Sequence, residues 1–229
     1  MNRYFSRAVS ALGLALLTAC ASLILPGIPS GMADPAARGT PTSAYPEHFA
    51  YRIDDHRYIT IQGNRNCEGQ IWYYDTRLGV RTAVAATGLT LGDGAFGGYY
   101  AINSEYVAIP AIVFSQTSGV FLYIYYSYDG GRTFKSFWAG ADVSGRYSHE
   151  ENVIVLNGKF LYIARKSREA PVDVYLSRLY DVSHDIPVGD DQHAIKPEGQ
   201  WVDPHLVPLT IKSPSGSTKW SCGPATDPQ

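Results

Sequence analysis

Ser127-Tyr128-Asp129-Gly130-Gly131-Arg132-Thr133-Phe134 carries the sharpest local signal in the chain, that of a tight turn between strands. The short side chains of Ser127 and Asp129 can accept hydrogen bonds from backbone N–H groups a few residues on. Gly131 permits a positive φ, and Phe134 takes the chain back to an apolar core. Such a stretch joins two neighbouring strands. The run before it, Val120 to Tyr126, reads Val-Phe-Leu-Tyr-Ile-Tyr-Tyr, which is apolar on both faces and predicts a central strand between covered surfaces. Further upstream, Tyr106 to Phe114 is apolar apart from Pro110, which marks a bulge or an edge strand. Arg57 to Ile61 alternates, and Gln70 to Tyr74 is rich in aromatics. Downstream, Asn157-Gly158 between Val153–Leu156 and Lys159–Ile163 predicts a hairpin with a type I′ turn and two positive φ angles. Amphipathic helical periodicity is hard to find. Aromatics make up 13% of the chain, with 17 tyrosines, and such side chains pack well on pleated surfaces.

Tyr-Asp pairs recur at Tyr74-Asp75, Tyr128-Asp129 and Tyr180-Asp181, spaced by 54 and 52 residues. Each follows two strand-like runs, the third being Lys159–Ala164 with Val172–Tyr180. Repeats of this kind suggest propeller blades. The octapeptide also resembles the Asp-box, Ser-x-Asp-x-Gly-x-x-aromatic, of sialidase-like and other propellers, with Ser127, Asp129, Gly131 and Phe134 in the defining positions. The expected fold is therefore all-β, an antiparallel meander forming a small β-propeller-like body; a two-sheet β-sandwich is the alternative. Sialidase activity does not follow from the resemblance. Those enzymes carry several Asp-boxes and an arginine triad on a larger propeller, against one good box and about 160 body residues here.

The N-terminus carries Arg3 and Arg7, then an apolar run from Ala8 to Ala19, too short for a membrane span, which needs about 20 residues. These are marks of a secretory signal, residues 1–19. Its end, Leu17-Thr18-Ala19-Cys20, resembles the bacterial lipobox, which implies a mature protein starting at an acylated (palmitate-type) Cys20. Ala21 after it implies, by the same resemblance, the outer membrane, with the protein on its periplasmic face. Residues 20–47 hold five prolines and read as a tether. A single β-rich domain, 48–229, follows, its body running from near Phe49 to about Val207 before a Pro-rich tail. Without Arg3 and Arg7, 17 basic residues face 21 acidic ones, a net charge of −4. No stretch is densely basic, so nucleic acid is an unsuitable partner.

With Cys20 acylated, Cys67 and Cys222 remain, and an even pair in an oxidising compartment reads as a disulfide. It would restrict the unfolded chain by about 4–5 kcal/mol in the entropy model. Two free thiols are the alternative; a zinc site lacks a second ligand at metal spacing.

No catalytic set assembles from the sequence. Gly92 to Gly97 matches the dinucleotide pattern formally, but Gly98 to Ile102 after it reads as strand, where a helix is required. His184, Asp185, Asp190, Asp191 and His193 match no metal loop. His149-Glu150-Glu151 lacks the second histidine of a metalloprotease helix, and there is no Gly-x-Ser-x-Gly elbow. No enzyme, cofactor or metal is expected.

Tyr51-Arg52-Ile53-Asp54-Asp55-His56-Arg57-Tyr58, Cys67, Trp72-Tyr73-Tyr74-Asp75 and the octapeptide together resemble the immunity lipoproteins of type VI secretion systems, over roughly residues 48–185. The resemblance implies a periplasmic protein that binds and neutralises a cognate lipase effector and touches the membrane only through its lipid. Tyr99, Tyr100, Tyr128 and Tyr147 are candidate contact residues, or else core. Two other readings stay open: an envelope scaffold or assembly lipoprotein, and a glycan-binding or hydrolytic propeller.

Overall fold

The computed structural model describes residues 45–64, 66–87, 98–115, 119–141, 150–167, 174–187, 199–222 and 225–226, all within the unit Asp34–Gln229. The leader, Cys20, the tether up to residue 44, Gly92–Gly97, Tyr147, His149, Asp190, Asp191 and His193 lie outside them.

In chain order the strands are β1 (Glu47–Arg52), β2 (Arg57–Gly63), β3 (Gly69–Asp75), β4 (Val80–Thr87), β5 (Tyr99–Asn103), β6 (Val107–Ser115), β7 (Gly119–Ser127), β8 (Lys135–Ala141), β9 (Glu150–Asn157), β10 (Phe160–Ser167), β11 (Val174–Asp181), β12 (Gln200–Trp201) and β13 (Ala225–Thr226). One 3-10 turn, Pro204–Leu206, is the only helical element among the described residues. The fold is all-β. Three sheets form, ordered β13-β1-β2-β3-β4, β6-β7-β8 and β12-β11-β10-β9-β5. Among the described residues every pairing is antiparallel except β5 with β9, which is parallel. That pair departs from a pure meander, because β5 joins the third sheet while its sequence neighbour β6 starts the second.

The three hairpins of the repeat, β2–β3, β6–β7 and β10–β11, fall one in each sheet. What recurs at their ends is the aspartate's role. Asp75 Oδ1 accepts from Leu78 N–H, Asp129 Oδ1 from Arg132 N–H, and Asp181 Oδ1 from Ser183 N–H, all at 3.0 Å. The tyrosines diverge: Tyr180 is buried and Tyr128 exposed.

β7 is central in its sheet, as its sequence predicts. Leu122, Ile124 and Tyr126 fill the buried face, while Phe121, Tyr123 and Tyr125 are only partly covered. Pro110 sits on an edge strand, where its missing N–H costs no ladder bond. The β9–β10 hairpin forms, but its turn is displaced by one residue. Asn157 pairs with Phe160, so Gly158 and Lys159 make the turn, and of these only Gly158 (φ 54) is positive. A glycine at the first central position is what a type II′ turn wants.

All three sheets supply one apolar core, with Tyr51, Ile59, Tyr73, Ile109, Ile124, Phe137 and Leu161 among its members. The C-terminal segment departs from expectation, since order does not stop near Val207. Ser215 N–H donates to the Ile53 carbonyl, Tyr100 N–H to that of Thr218, and Ser221 N–H to that of Ala50. Trp220 packs against Tyr51 and Tyr100, with ring centroids 6.0 and 5.4 Å away. Cys67 and Cys222 form a disulfide with Cα atoms 5.8 Å apart. The segment is thus a strap lacing β1 to β5, pinned at its end to the β2–β3 loop.

Candidate functional site

The turn Ser127–Phe134 is built by side chains satisfying backbone. Ser127 Oγ accepts from Gly131 N–H at 2.9 Å, and Asp129 accepts from the N–H groups of Arg132 and Thr133, each at 3.0 Å. Gly130 and Gly131 both have positive φ, 74° and 82°. Burial pushes the Asp129 carboxyl up, but bonds from Thr133, Ser127 and Arg132 outweigh it and hold its pKa low. Phe134 reaches the core edge, 5.8 Å from the Tyr73 ring.

This turn meets the β1–β2 and β3–β4 turns around a cleft of about 710 Å³, lined by Asp54, Arg57, Tyr73, Asp75, Leu78 and Tyr128 among others. Three sequence stretches singled out separately therefore come together. Their polar groups are mostly spent on one another. Asp54 accepts from the backbone N–H of Arg57 at 2.7 Å and from its guanidinium Nε at 2.6 Å. Arg57 also donates to the Glu105 carbonyl, and Asp75 holds Leu78 N–H. Burial raises the Asp54 pKa, but the hydrogen bonds from Arg57 and His56 prevail and hold it below the ordinary carboxylate range. Asp54, Asp55 and His56 place ligand-type atoms within 4.8 Å of one another. Asp54 already accepts three bonds, however, so the group reads as a turn closed by its own side chains. His48 has a ring nitrogen within 4.8 Å of the sulfurs of Cys67 and Cys222, which are bonded together and offer no thiolate.

The other sequence candidates disperse. Tyr100 is 1% exposed and donates to the Ala108 carbonyl, so it is core. Tyr99 is half-buried against the strap and donates to the Ile211 carbonyl. Tyr128 stays exposed at the cleft rim, donating to Asp185, which also pairs with Lys135. Glu150 and Glu151 lie on strand β9, where a metalloprotease motif would need a helix. His184 and Asp185 are committed locally and converge on no common point.

A second surface had no sequence signal strong enough to find it. β11 carries a bulge: Ile163 pairs with Arg178 and Arg165 with Tyr175, so β11 has one residue too many. Leu176, inside that bulge, has φ 49. Such a bulge usually places glycine there, and a bulky residue in that region costs about 1–3 kcal/mol. Leu176 is nevertheless 52% exposed. Beside it runs a groove of about 190 Å³ between the second and third sheets, also lined by Leu122, Ile163, Arg165, Arg178 and Trp201. Trp201 is 61% exposed, with the Arg178 guanidinium 4.2 Å from its ring centroid. Burial along β11 loses its alternation there, since Ser177 and Tyr180, three apart, are both buried.

Residues 43–165 match the family described as T6SS Tli3 immunity protein, over half of the chain. The match spans β1 to most of β10, including the residues around the cleft from Asp54 to Gly130. No curated protein gives a significant match.

Proposed function

We propose that this chain, which belongs to the Tli3 family of type VI secretion immunity proteins, is the periplasmic, lipid-anchored member of a toxin–antidote pair whose effector is a lipase. Family membership carries the reading: an immunity protein works by binding a cognate effector, and its requirement is a complementary surface. The Cys67–Cys222 disulfide supports an oxidising compartment. The lipobox-like Leu17-Thr18-Ala19-Cys20 supports the anchor, and a lipase attacking phospholipid from the periplasm would be met where its substrate lies. A flexible tether of ~28 Å root-mean-square reach would let the domain sweep the nearby membrane surface. Confinement there raises effective concentration, so moderate affinity protects better than it would in bulk. We also read the three sheets, each holding one hairpin of the repeat, as the blades of a small propeller-like body.

Two measurements test this. The purified chain should bind the effector encoded beside it and suppress its phospholipase activity. Deleting the gene should sensitise cells to neighbours delivering that effector, and a copy confined to the cytoplasm should fail to rescue them. A chain that neither binds nor inhibits the effector would leave the scaffold reading ahead.

A further inference from the structure

We propose that the groove bordered by Leu176, Arg178 and Trp201 is the effector-docking surface, and that it takes a protein segment presenting an apolar side chain next to a carboxylate. This rests on the reading of the chain as an effector-binding immunity protein and says where, and with what chemistry, it binds.

Three independent observations meet at this one place. Leu176 occupies a backbone conformation suited to glycine and yet holds a large apolar side chain half in water. Neither feature helps the fold, and strain of this kind concentrates at functional positions. Trp201 is the second: an exposed indole steadied by the Arg178 guanidinium against its face. A tryptophan ordered before contact loses less freedom on binding, and Trp with Arg is the pairing that dominates interface energetics. The third is the groove itself. Its floor is apolar, from Leu122, Ile163 and Ala164, while its lining carries Arg165 and Arg178 and, among the described residues, no carboxylate. An apolar side chain would seat on the floor and an adjacent acidic group would meet the Arg178 guanidinium, which donates one bond to the Gly199 carbonyl at 3.3 Å and has further N–H donors. The acidic balance of the whole chain favours a basic partner at long range; the lining of this groove favours the opposite sign at contact.

The surroundings agree. The floor comes from β7 and β10, inside the family match, whereas Leu176, Arg178 and Trp201 lie beyond its end at residue 165. The other surfaces fit less well. In the large cleft Asp54 and Arg57 are spent on each other and Asp75 on the Leu78 N–H. On the outer face of the first sheet, Arg81 lies 3.6 Å from the Trp72 ring centroid and pairs with Glu47, so that face is covered by its own side chains.

The test is the affinity of the full mature chain for the effector encoded beside it, with melting temperature measured for every variant. Leu176→Gly should raise the melting temperature, because glycine relieves the strain, while weakening binding at least about tenfold, or 1.4 kcal/mol. Opposite signs cannot come from loss of fold. Trp201→Ala should weaken binding by a similar factor with melting unchanged, and so decides the matter if the glycine variant misfolds. Arg178→Glu should weaken binding and reduce its salt dependence. Leu78→Ala, at the cleft, should leave affinity within about threefold, under 1 kcal/mol. If the wild type binds and both Leu176→Gly and Trp201→Ala bind equally well, the docking surface is elsewhere and this inference falls alone. If the wild type does not bind, the effector reading falls and takes this inference with it.

Discussion

Gly131 has no room for a side chain. A Cβ there would stand 2.0 Å from Cε1 of Tyr73, a fully buried ring, and its φ of 82° would strain any other residue. Gly131→Ala should therefore cost roughly 2–4 kcal/mol in urea unfolding, combining strain with overpacking; Gly158→Ala, with nothing within 4 Å, should cost less because only strain applies. Asp54 gives a prediction in pH. Its carboxyl is held below the ordinary range by Arg57 and the neighbouring backbone N–H groups despite burial. A depressed folded pKa stabilises the fold at pH above the unfolded value of about 3.9, and that contribution is lost as pH falls through the folded value. Stability measured from pH 6 downward should thus drop below about pH 4. Asp54→Asn should start less stable and lose less over that window. An unchanged acid limb in that variant would mean that other carboxylates carry the dependence.

At the scale of elements, the strap from Ser213 to Cys222 is held in three ways: a disulfide, backbone bonds to β1 and β5, and Trp220 in an aromatic cluster. Cys222→Ser should lower stability by about 4–5 kcal/mol in the entropy model, and Trp220→Ala by about 3–5 kcal/mol. Because both act on one segment, the double variant should lose less than the sum, which a denaturation cycle would read directly. Strands with a strong local pattern were legible in the sequence: β2 lies where alternation puts it, β3 where the aromatics do, β6 and β7 where the apolar runs do, the β9–β10 hairpin forms with its turn one residue on, and Cys67 with Cys222 followed from counting. The strap was not, because its order comes from partners about 100 to 170 residues away, Tyr51 above all, and no local pattern encodes them. The same holds for Leu176, whose φ is imposed by the register of β10 across from it. The displaced type II′ turn shows the limit of dipeptide rules, since Asn157 was needed as a paired strand residue.

For the whole molecule, attachment is the property to test first. Metabolic labelling with a palmitate analogue should mark the wild type but not Cys20→Ser, and the variant should leave the membrane fraction; an unlabelled wild type would refute the anchor. The Cys67–Cys222 bond spans 155 residues, and this has a consequence for biogenesis. On the proposed export from the N-terminus, Cys67 would cross well before Cys222 and wait for it. Until then β1 and β5 lack their lacing, and the chain has high contact order with its longest loop unclosed. On that route the protein should gain protease resistance only after Cys222 has crossed. A truncation before Ser213 should stay degradable in the periplasm, however completely its first four strands can pair.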